Sequence, residues 1–201
     1  MVKKTTIGVL ALQGDFLEHL KALEKIGVSA KEVRLPKDLE NINGIIMPGG
    51  ESTTMANLLD VFKLRNPLIQ KIKSGMPVWG TCAGMILLAK KIVQDRPEPL
   101  GLMDITVNRN AYGRQIDSFT ESLKIKPLGD KEFLVTFIRA PIIEKIGDDV
   151  EILSKHGDPS AGSGQAVAVR EKNMLATSFH TELATDTRFH EYFISIIKDS
   201  L

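Results

Sequence analysis

The stretch PVWGTCAGMILLAKK, Pro77–Lys91, contains the single cysteine of this 201-residue chain and decides the fold that the sequence predicts. An apolar strand over Pro77–Gly80 runs into a helix, and Cys82 lies at the corner between them, with a glycine on either side at GTCAG. A cysteine that only packs in a core needs no flanking glycines. A nucleophile that projects from a strained strand-to-helix turn does need small neighbours. The corner therefore predicts a thiol that projects over the edge of a sheet.

Strand and helix patterns alternate through the first half of the chain. Asp15 can cap the first helix, and Gly27 can end it. The predicted strands are Thr5–Leu12, Ser29–Leu35, Gly44–Met47 and Pro77–Gly80, and the predicted helices are Asp15–Ile26, Thr53–Phe62 and Pro67–Ser74. This alternation predicts a parallel sheet with helices on both faces.

The second half is different, because short strands follow one another with few helices between them. These predicted strands are Ile105–Val107, Ser118–Lys126, Phe133–Ile138, Val150–Ser154, Ala166–Arg170 and Met174–Phe179, before a closing helix at Arg188–Lys198. The stretch GDPSAGSGQ, Gly157–Gln165, predicts a mobile loop. We expect an α/β fold in a single domain over residues 1–201, with a mainly parallel central sheet flanked by helices and antiparallel strands in the second half.

Composition describes an ordinary globular protein and excludes several functions. Hydrophobic residues make up 43% of the chain, and 26 Lys and Arg nearly balance 25 Asp and Glu. This balance gives no sign of a nucleic-acid or membrane surface. One cysteine cannot form an internal disulfide, and no Cys/His cluster has the spacing of a zinc site. The cytoplasm is the expected compartment.

A base for the thiol is found in ATSFHTEL, Ala176–Leu183, where an apolar strand ends in His180-Thr181-Glu182. Residues two apart in an extended segment point to the same side, so Glu182 can support the imidazole of His180. A cysteine nucleophile needs a base, and the base needs an orienting acceptor. The chain thus supplies a Cys-His-Glu set. The other three histidines, His19, His156 and His190, are assigned to surface or packing positions.

A third element of a catalytic site is MPGGES, Met47–Ser52, where two glycines follow a strand and leave backbone N–H groups free to face a ligand. In elbow enzymes the oxyanion hole combines the N–H of the residue after the nucleophile with one from a neighbouring loop. Ala83 supplies the first, and Gly50 is the candidate for the second. Taken alone, a Gly-Gly turn also fits a simple chain reversal.

Together these features resemble the class I (triad) glutamine amidotransferases, which share a PGG loop, a GxCxG elbow and a late HPE motif. The segments GVLALQGD, PGGEST, PVWGTCAGM, NRNAYGRQ (Asn108–Gln115) and FIRAP (Phe137–Pro141) are similar to the PdxT family, the glutaminases of pyridoxal 5′-phosphate synthase. These motifs occur in order from Gly8 to Leu183. One position departs from the family pattern, because Thr181 stands where proline is usual.

The resemblance implies a role for each matching residue. Cys82 would be the nucleophile, with His180 and Glu182 as its relay. The residues implied to bind L-glutamine are Gly50, Glu51, Ser52, Arg109, Ile138 and Arg139. Arg139 lies in an apolar segment and is a plausible partner for the substrate's carboxylate, although a surface arginine on an edge strand is the alternative. Arg109 shares its polar stretch with Arg114, so its assignment is less specific.

The activity that the resemblance implies is hydrolysis of glutamine to glutamate and ammonia, with no metal or organic cofactor. Its partner would be a PdxS-type (β/α)8-barrel synthase, in a large complex that makes pyridoxal phosphate as a product. The main alternative is the glutaminase subunit of imidazole glycerol phosphate synthase. A non-catalytic subunit with the same fold, or a dienelactone-hydrolase-like cysteine hydrolase, would share only some of these motifs.

Overall fold

The computed structural model describes residues 5–109, 118–157 and 164–201. The strands are β1 (Thr6–Leu10), β2 (Ser29–Val33), β3 (Gly44–Met47), β4 (Val78–Thr81), β5 (Ala89–Ile92), β6 (Met103–Asn108), β7 (Ser118–Leu123), β8 (Phe133–Ile138), β9 (Ile142–Ile146), β10 (Glu151–His156), β11 (Gln165–Glu171) and β12 (Met174–Thr177). The helices are α1 (Phe16–Lys25), α2 (Ser52–Val61), α3 (Arg65–Lys73), α4 (Ala83–Leu88) and α5 (Arg188–Asp199).

A seven-stranded sheet in the order β10-β11-β12-β4-β3-β1-β2 forms the centre of the fold. The pairs from β12 through β4, β3 and β1 to β2 are parallel. At the other edge, β10, β11 and β12 pair antiparallel. A three-stranded sheet, β5-β6-β9, and the two-stranded ribbon β7-β8 complete the β structure. The predicted fold class is therefore confirmed.

The inner strands of the central sheet are buried on both faces, as expected for parallel strands covered by helices, whereas the edge strand β2 is only partly buried. In β4, Val78 packs into one core with residues of α2, α3 and α4, whereas Trp79 packs into the other with residues of α1, α5 and the ribbon. In β3, Ile45 and Ile46 divide in the same way. Because successive side chains of a strand point to opposite faces, this alternation fixes the register of the sheet.

The structure differs from the expectations in two elements and in several boundaries. Strands β5 and β9 were not predicted, and the helix after Cys82 is short, since the chain turns into β5 at Ala89. The run MILLAKKIV is apolar at both the helical and the strand period, so periodicity alone cannot locate the change. Most of the predicted loop Gly157–Gln165 lies outside the described residues. The single domain over residues 1–201 stays a prediction.

The described helices are all too short or too polar to cross a membrane.

Candidate active site

The site lies where adjacent parallel strands end at one edge of the central sheet. Gln13–Asp15 follows β1, the Gly49-Gly50 pair follows β3, Cys82 follows β4, and His180 comes shortly after β12. These strands are neighbours in the order β12-β4-β3-β1. Because parallel strands end at the same edge, residues far apart in sequence meet there.

Cys82 occupies a strained corner between β4 and α4. Its backbone has φ 47° and ψ −101°, which is rare for a residue with a side chain. Its N–H donates to the Thr177 carbonyl at 2.8 Å, which ties the corner to β12. A side chain at Gly80 would overlap the backbone of Gly84, and one at Gly84 would overlap the Met47 carbonyl. The two glycines therefore serve the close packing of α4 on β3 and β4, as the sequence predicted.

His180 and Glu182 meet as the sequence predicted. His180 Nδ1 lies 2.7 Å from Glu182 Oε1, and both side chains are buried. The backbone N–H of His180 donates to the Thr136 carbonyl of β8 at 2.8 Å, which fixes the backbone of His180. The ring lies over Gly49, where any side chain would overlap its Cε1 atom. Glycine at this position is therefore required by the imidazole itself.

The electrostatics of this group favour an ion pair. Burial alone would lower the pKa of His180, but hydrogen bonds to Cys82 and Glu182, and the charges of both, raise it to about 10. Burial would likewise raise the pKa of Glu182, but His19 and the hydrogen bond to His180 lower it to about 2. The carboxylate is thus ionised at neutral pH and stabilises an imidazolium beside the thiol.

Asp15 is a second carboxylate near the imidazole. Its Oδ2 lies 3.4 Å from His180 Nδ1, a longer contact than that of Glu182. Burial raises the pKa of Asp15. The sequence predicted that Asp15 caps α1, and it does occupy that position, but its side chain makes no capping hydrogen bond. The capping prediction was therefore wrong in its chemistry, because the carboxylate lies toward the site.

A pocket of about 410 Å³ opens over the thiol. Its lining includes nearly all of the predicted site residues: Gly50, Glu51, Ser52, Cys82, Arg109, Ile138, Arg139 and His180, together with Gln13, Asp15 and Ile86. Glu182 lies behind His180, and Ala83 begins α4. A larger pocket of about 660 Å³ beside it, reaching from Thr53 to Pro99, lacks the thiol and the imidazole. The thiol and the imidazole therefore both belong to the smaller pocket.

Glu51 and Arg109 bind each other at the mouth of this pocket. Arg109 Nη2 donates to Glu51 Oε1 at 3.0 Å, and its Nη1 donates to Thr53 Oγ1 and to the Arg96 carbonyl. Glu51 also caps α2, accepting from the backbone N–H groups of Thr53 and Thr54. Partial burial would raise the pKa of Glu51, but these hydrogen bonds lower it to about 2. The rest of the NRNAYGRQ motif beyond Arg109 lies outside the described residues.

Arg139 faces the same pocket from the end of β8. Its φ of 42° is a second strained backbone in the site. Such strain in a residue with a side chain is typical of functional sites, where surrounding packing maintains it. The Cys82 Sγ atom lies 4.0 Å from the carbonyl of the preceding residue, Ile138.

The two predicted oxyanion-hole residues both lie near the thiol: Ala83 follows Cys82 in the chain, and Gly50 lines the same pocket as Cys82. Ala83 is the first residue of α4, so its N–H has no partner within the helix. Gly50 has φ 150°, and a side chain there would overlap Gln13 Oε1. The loop after β1 holds this segment twice: Asp15 N–H donates to the Gly49 carbonyl at 3.1 Å, and Glu51 N–H donates to Gln13 Oε1 at 2.8 Å.

His19 was missed as a neighbour of the site. It was assigned to a surface or packing position, and its full burial agrees with packing, but the contact of its Nε2 with Glu182 Oε2 at 3.5 Å was not predicted. One sequence signal was available, because a histidine stood on the apolar stripe of α1, next to Leu20 and Leu23. The apolar pattern of α1 does not predict that His19 contacts Glu182.

The geometry corresponds to a known family. Residues 9–199 match the SNO glutamine amidotransferase family, and the chain belongs to that family. A pyridoxal 5′-phosphate synthase subunit PdxT of Dehalococcoides mccartyi is 55% identical over 96% of this chain and 97% of its own length. The subunit of the same name from Herpetosiphon aurantiacus is 52% identical over 95% and 100%. A crystal structure of a glutamine amidotransferase superposes with a TM-score of 0.87, at 43% identity over 96% of this chain and 98% of that one.

Proposed function

We propose that this protein is the glutaminase subunit of pyridoxal 5′-phosphate synthase, which hydrolyses L-glutamine and passes ammonia to a PdxS-type synthase. The observation that carries the chemistry is the His180–Glu182 contact of 2.7 Å behind a pocket that contains Cys82. The names of full-length relatives support the pathway. Because these relatives are PdxT subunits, the alternative of an imidazole glycerol phosphate synthase subunit is not favoured.

The proposed reaction begins with attack of the Cys82 thiolate on the side-chain amide carbon of glutamine. The oxyanion forms against the N–H groups of Gly50 and Ala83. His180 then gives its proton to the departing ammonia, and a γ-glutamyl thioester is left on the sulfur. Water, activated by the same imidazole, releases glutamate. Glu182 holds the imidazole in the tautomer and orientation that these transfers need.

Substrate selection rests on charge. Free glutamine carries an α-carboxylate and an α-ammonium group, so a selective pocket needs a cation and acceptors. Arg139 is the proposed cation, with the backbone of Gly50, Glu51, Ser52 and Ile138 around the substrate. Arg109 is already bound to Glu51, so its proposed contribution is to hold that wall of the pocket.

The proposed partner follows from the chemistry of the product. Ammonia released into water at neutral pH becomes ammonium and is no longer a nucleophile, so a second protein must receive it directly. We infer a large hetero-oligomeric complex with the PdxS-type subunit, in which pyridoxal phosphate is a product. We also infer a cytoplasmic location, because a catalytic thiol must stay reduced and the cytosol keeps thiols reduced.

The test is co-purification with a PdxS-type synthase, followed by glutamine-dependent formation of pyridoxal phosphate. Cys82→Ala should abolish glutamine hydrolysis, because it removes the nucleophile without opening a large cavity. Ammonium salts should still support synthesis when this variant is bound. Substantial hydrolysis by the variant would refute the role of Cys82, and loss of the ammonium-dependent activity would show that the residue is structural.

A further inference from the structure

A buried polar cluster lies behind the proposed triad and plays no part in the mechanism given above. It joins Glu182, His19 and His190, which come from the segment after β12, from α1 and from α5. All three are buried, and His19 is fully inaccessible. Burying polar groups at this density is costly unless they are paired, so their arrangement calls for a physical account.

The cluster forms a chain of contacts that begins at His180. Glu182 Oε1 lies 2.7 Å from His180 Nδ1, and the other carboxylate oxygen, Oε2, lies 3.5 Å from His19 Nε2. Among the described residues Oε2 has no hydrogen bond within the usual geometric limits, and the His19 imidazole is a polar group in contact with it at 3.5 Å. His19 Nδ1 lies 3.0 Å from His190 Nε2. The Thr81 hydroxyl lies 3.5 Å from His19 Nε2.

Only one arrangement of protons gives every ring N–H in this chain of contacts an acceptor. If His19 carries its proton on Nε2, that N–H has the Thr81 hydroxyl oxygen and Glu182 Oε2 as its two possible acceptors, each at 3.5 Å, and Nδ1 accepts from the Nε2–H of His190. The opposite tautomer would set a lone pair of His19 against the carboxylate oxygen and leave His190 with a buried Nδ1–H. His190 Nδ1 has no hydrogen-bond partner among the residues that the structure describes. A lone pair is the less costly group to leave there.

We propose that His19 is a positioning residue for glutamine hydrolysis: its Nε2–H faces Glu182 Oε2 and keeps the carboxylate turned with Oε1 toward His180. The inference rests on the proposed roles of His180 and Glu182. Trp79 packs edge-on against both buried imidazoles and so limits their rotation. The ring of His19 is therefore held in place before any substrate binds.

Removing the Nε2–H of His19 should change the pKa of Glu182, because this carboxyl group is buried. Burial raises the pKa of Glu182, but the charge of a protonated His19 and the hydrogen bond to His180 lower it to about 2. Burial also lowers the pKa of His19 and of His190, the latter to about 3, so both rings are neutral at pH 7. A neutral His19 acts on Glu182 as a donor rather than as a charge. Replacing it removes the N–H that faces Oε2, while burial continues to favour the protonated carboxyl group, so we expect the pKa of Glu182 to rise. The titratable groups that face the cluster are Asp15, Glu18, Cys82, His180 and His190.

Two substitutions of His19 distinguish the loss of its N–H donor from the loss of its packing volume. In His19→Gln the amide nitrogen can reach the position of Nε2, whereas in His19→Asn it can reach only that of Nδ1. Both are assayed as glutaminases in complex with a PdxS-type synthase. We expect His19→Asn to lower kcat about 10- to 100-fold, the range typical of residues that orient a functional ligand. The KM for glutamine should change little, because His19 does not line the pocket.

The pH profile gives a readout that a packing role would not move. His19→Asn should show an acid limb in kcat near or above the ordinary pKa of a carboxyl group, while the wild-type limb lies well below it. His19→Gln should restore most of kcat and the wild-type limb. The control is Leu23→Ala, a buried change on the same face of α1, which should destabilise the fold without moving the limb. Equal losses in His19→Gln and His19→Asn, or no shift of the limb in His19→Asn, would overturn the proposal.

A second measurement needs no variant and no catalysis. Ring ¹⁵N chemical shifts of the intact protein at pH 7 should show His19 as the neutral Nε2–H tautomer. A proton on Nδ1 of His19 alone would overturn the positioning role even in an active enzyme. Absence of glutaminase activity in the wild-type complex would refute the proposed function and the positioning role with it, whereas in an active complex the tautomer and the pH limb test His19 alone.

Discussion

Two groups raise the pKa of the His180 imidazole, the thiol of Cys82 and the carboxylate of Glu182. In the proposed mechanism the ring transfers protons, and the carboxylate only orients the ring. Loss of the ring therefore removes proton transfer itself, whereas loss of the carboxylate leaves a base that is poorly oriented. This division makes the order of damage a test of the assigned roles.

We expect His180→Asn to be at least as damaging as Glu182→Gln in the synthase-bound glutaminase assay. Removing a general base typically costs about 10²–10⁴-fold in rate. Thermal unfolding of both variants serves as the control, because each substitution leaves the other member of the buried His180–Glu182 pair without its partner and can destabilise the fold. If Glu182→Gln were clearly the worse of the two at equal stability, Glu182 would have a chemical role of its own.

The pKa of His180 supplies a pH-dependent prediction. Folding raises it from 6.5 to about 10, and the Cys82 hydrogen bond is the largest raising influence. The stability that this shift contributes is fully present below pH 6.5 and is lost as the pH rises through 10. Cys82→Ala should therefore lower the pKa of His180, measured by NMR titration. It should also flatten the fall in unfolding free energy between these pH values. An unchanged His180 pKa in the variant would contradict the coupling.

The packing of α4 against β3 is decided by one glycine. A side chain at Gly84 would overlap the Met47 carbonyl, which is backbone and cannot turn away. We expect Gly84→Ala to destabilise the protein by about 1–3 kcal/mol, the usual cost of overpacking, and to displace the elbow, so that glutaminase activity falls as well. Urea unfolding and the coupled assay measure the two effects.

Gly101→Ala is the matched control for that substitution. Gly101 has φ 68°, and no atom lies within 4 Å of the position its side chain would occupy. The change should cost about 1–2 kcal/mol of backbone strain and leave the kinetics unchanged. Equal kinetic losses in both variants would show that instability, rather than displacement of the elbow, limits activity.

Sequence patterns predicted the elements with a clear apolar pattern and missed those defined by distant partners. The fully buried strand β3, the alternating strand β8 and the helices α2, α3 and α5 were predicted to within a few residues. Strand β9 was missed because its pairing with β6 is a long-range contact. In the site, Cys82, His180 and Glu182 were recognisable from spacing and residue type. The Glu51–Arg109 pair and the place of His19 depend on elements that meet only in the folded chain.

At the level of the whole molecule, the loop after β1, Gln13–Asp15, contacts the segment that contains Gly50. Gln13 and Asp15 each hydrogen-bond this segment, and a side chain at Gly14 would overlap the Gly49 carbonyl. A partner that moves the loop would therefore move the Gly49–Gly50 peptide. The absence of side chains on this peptide lowers the barrier to its rotation.

We expect the isolated protein to be a poor glutaminase that becomes active when the synthase binds. Loss of one oxyanion donor costs about 10²–10³-fold in turnover, so a misdirected Gly50 N–H would keep the free protein nearly inactive. Turnover with and without synthase measures the control, and the Gly49–Gly50 orientation in free and bound structures measures the mechanism. Equal turnover would exclude partner control, while activation with an unchanged peptide would exclude only the rotation.

Cys82 is the only sulfhydryl in the chain, it is only 7% exposed, and it lines the pocket. Thiol-selective alkylating reagents therefore meet a single target, and the moles of label bound per mole of polypeptide count the accessible Cys82 thiols directly. If peroxide oxidises Cys82, the chain has no second cysteine with which the oxidised sulfur could form a disulfide. An oxidised molecule must be rescued by a reductant from outside or be lost to over-oxidation.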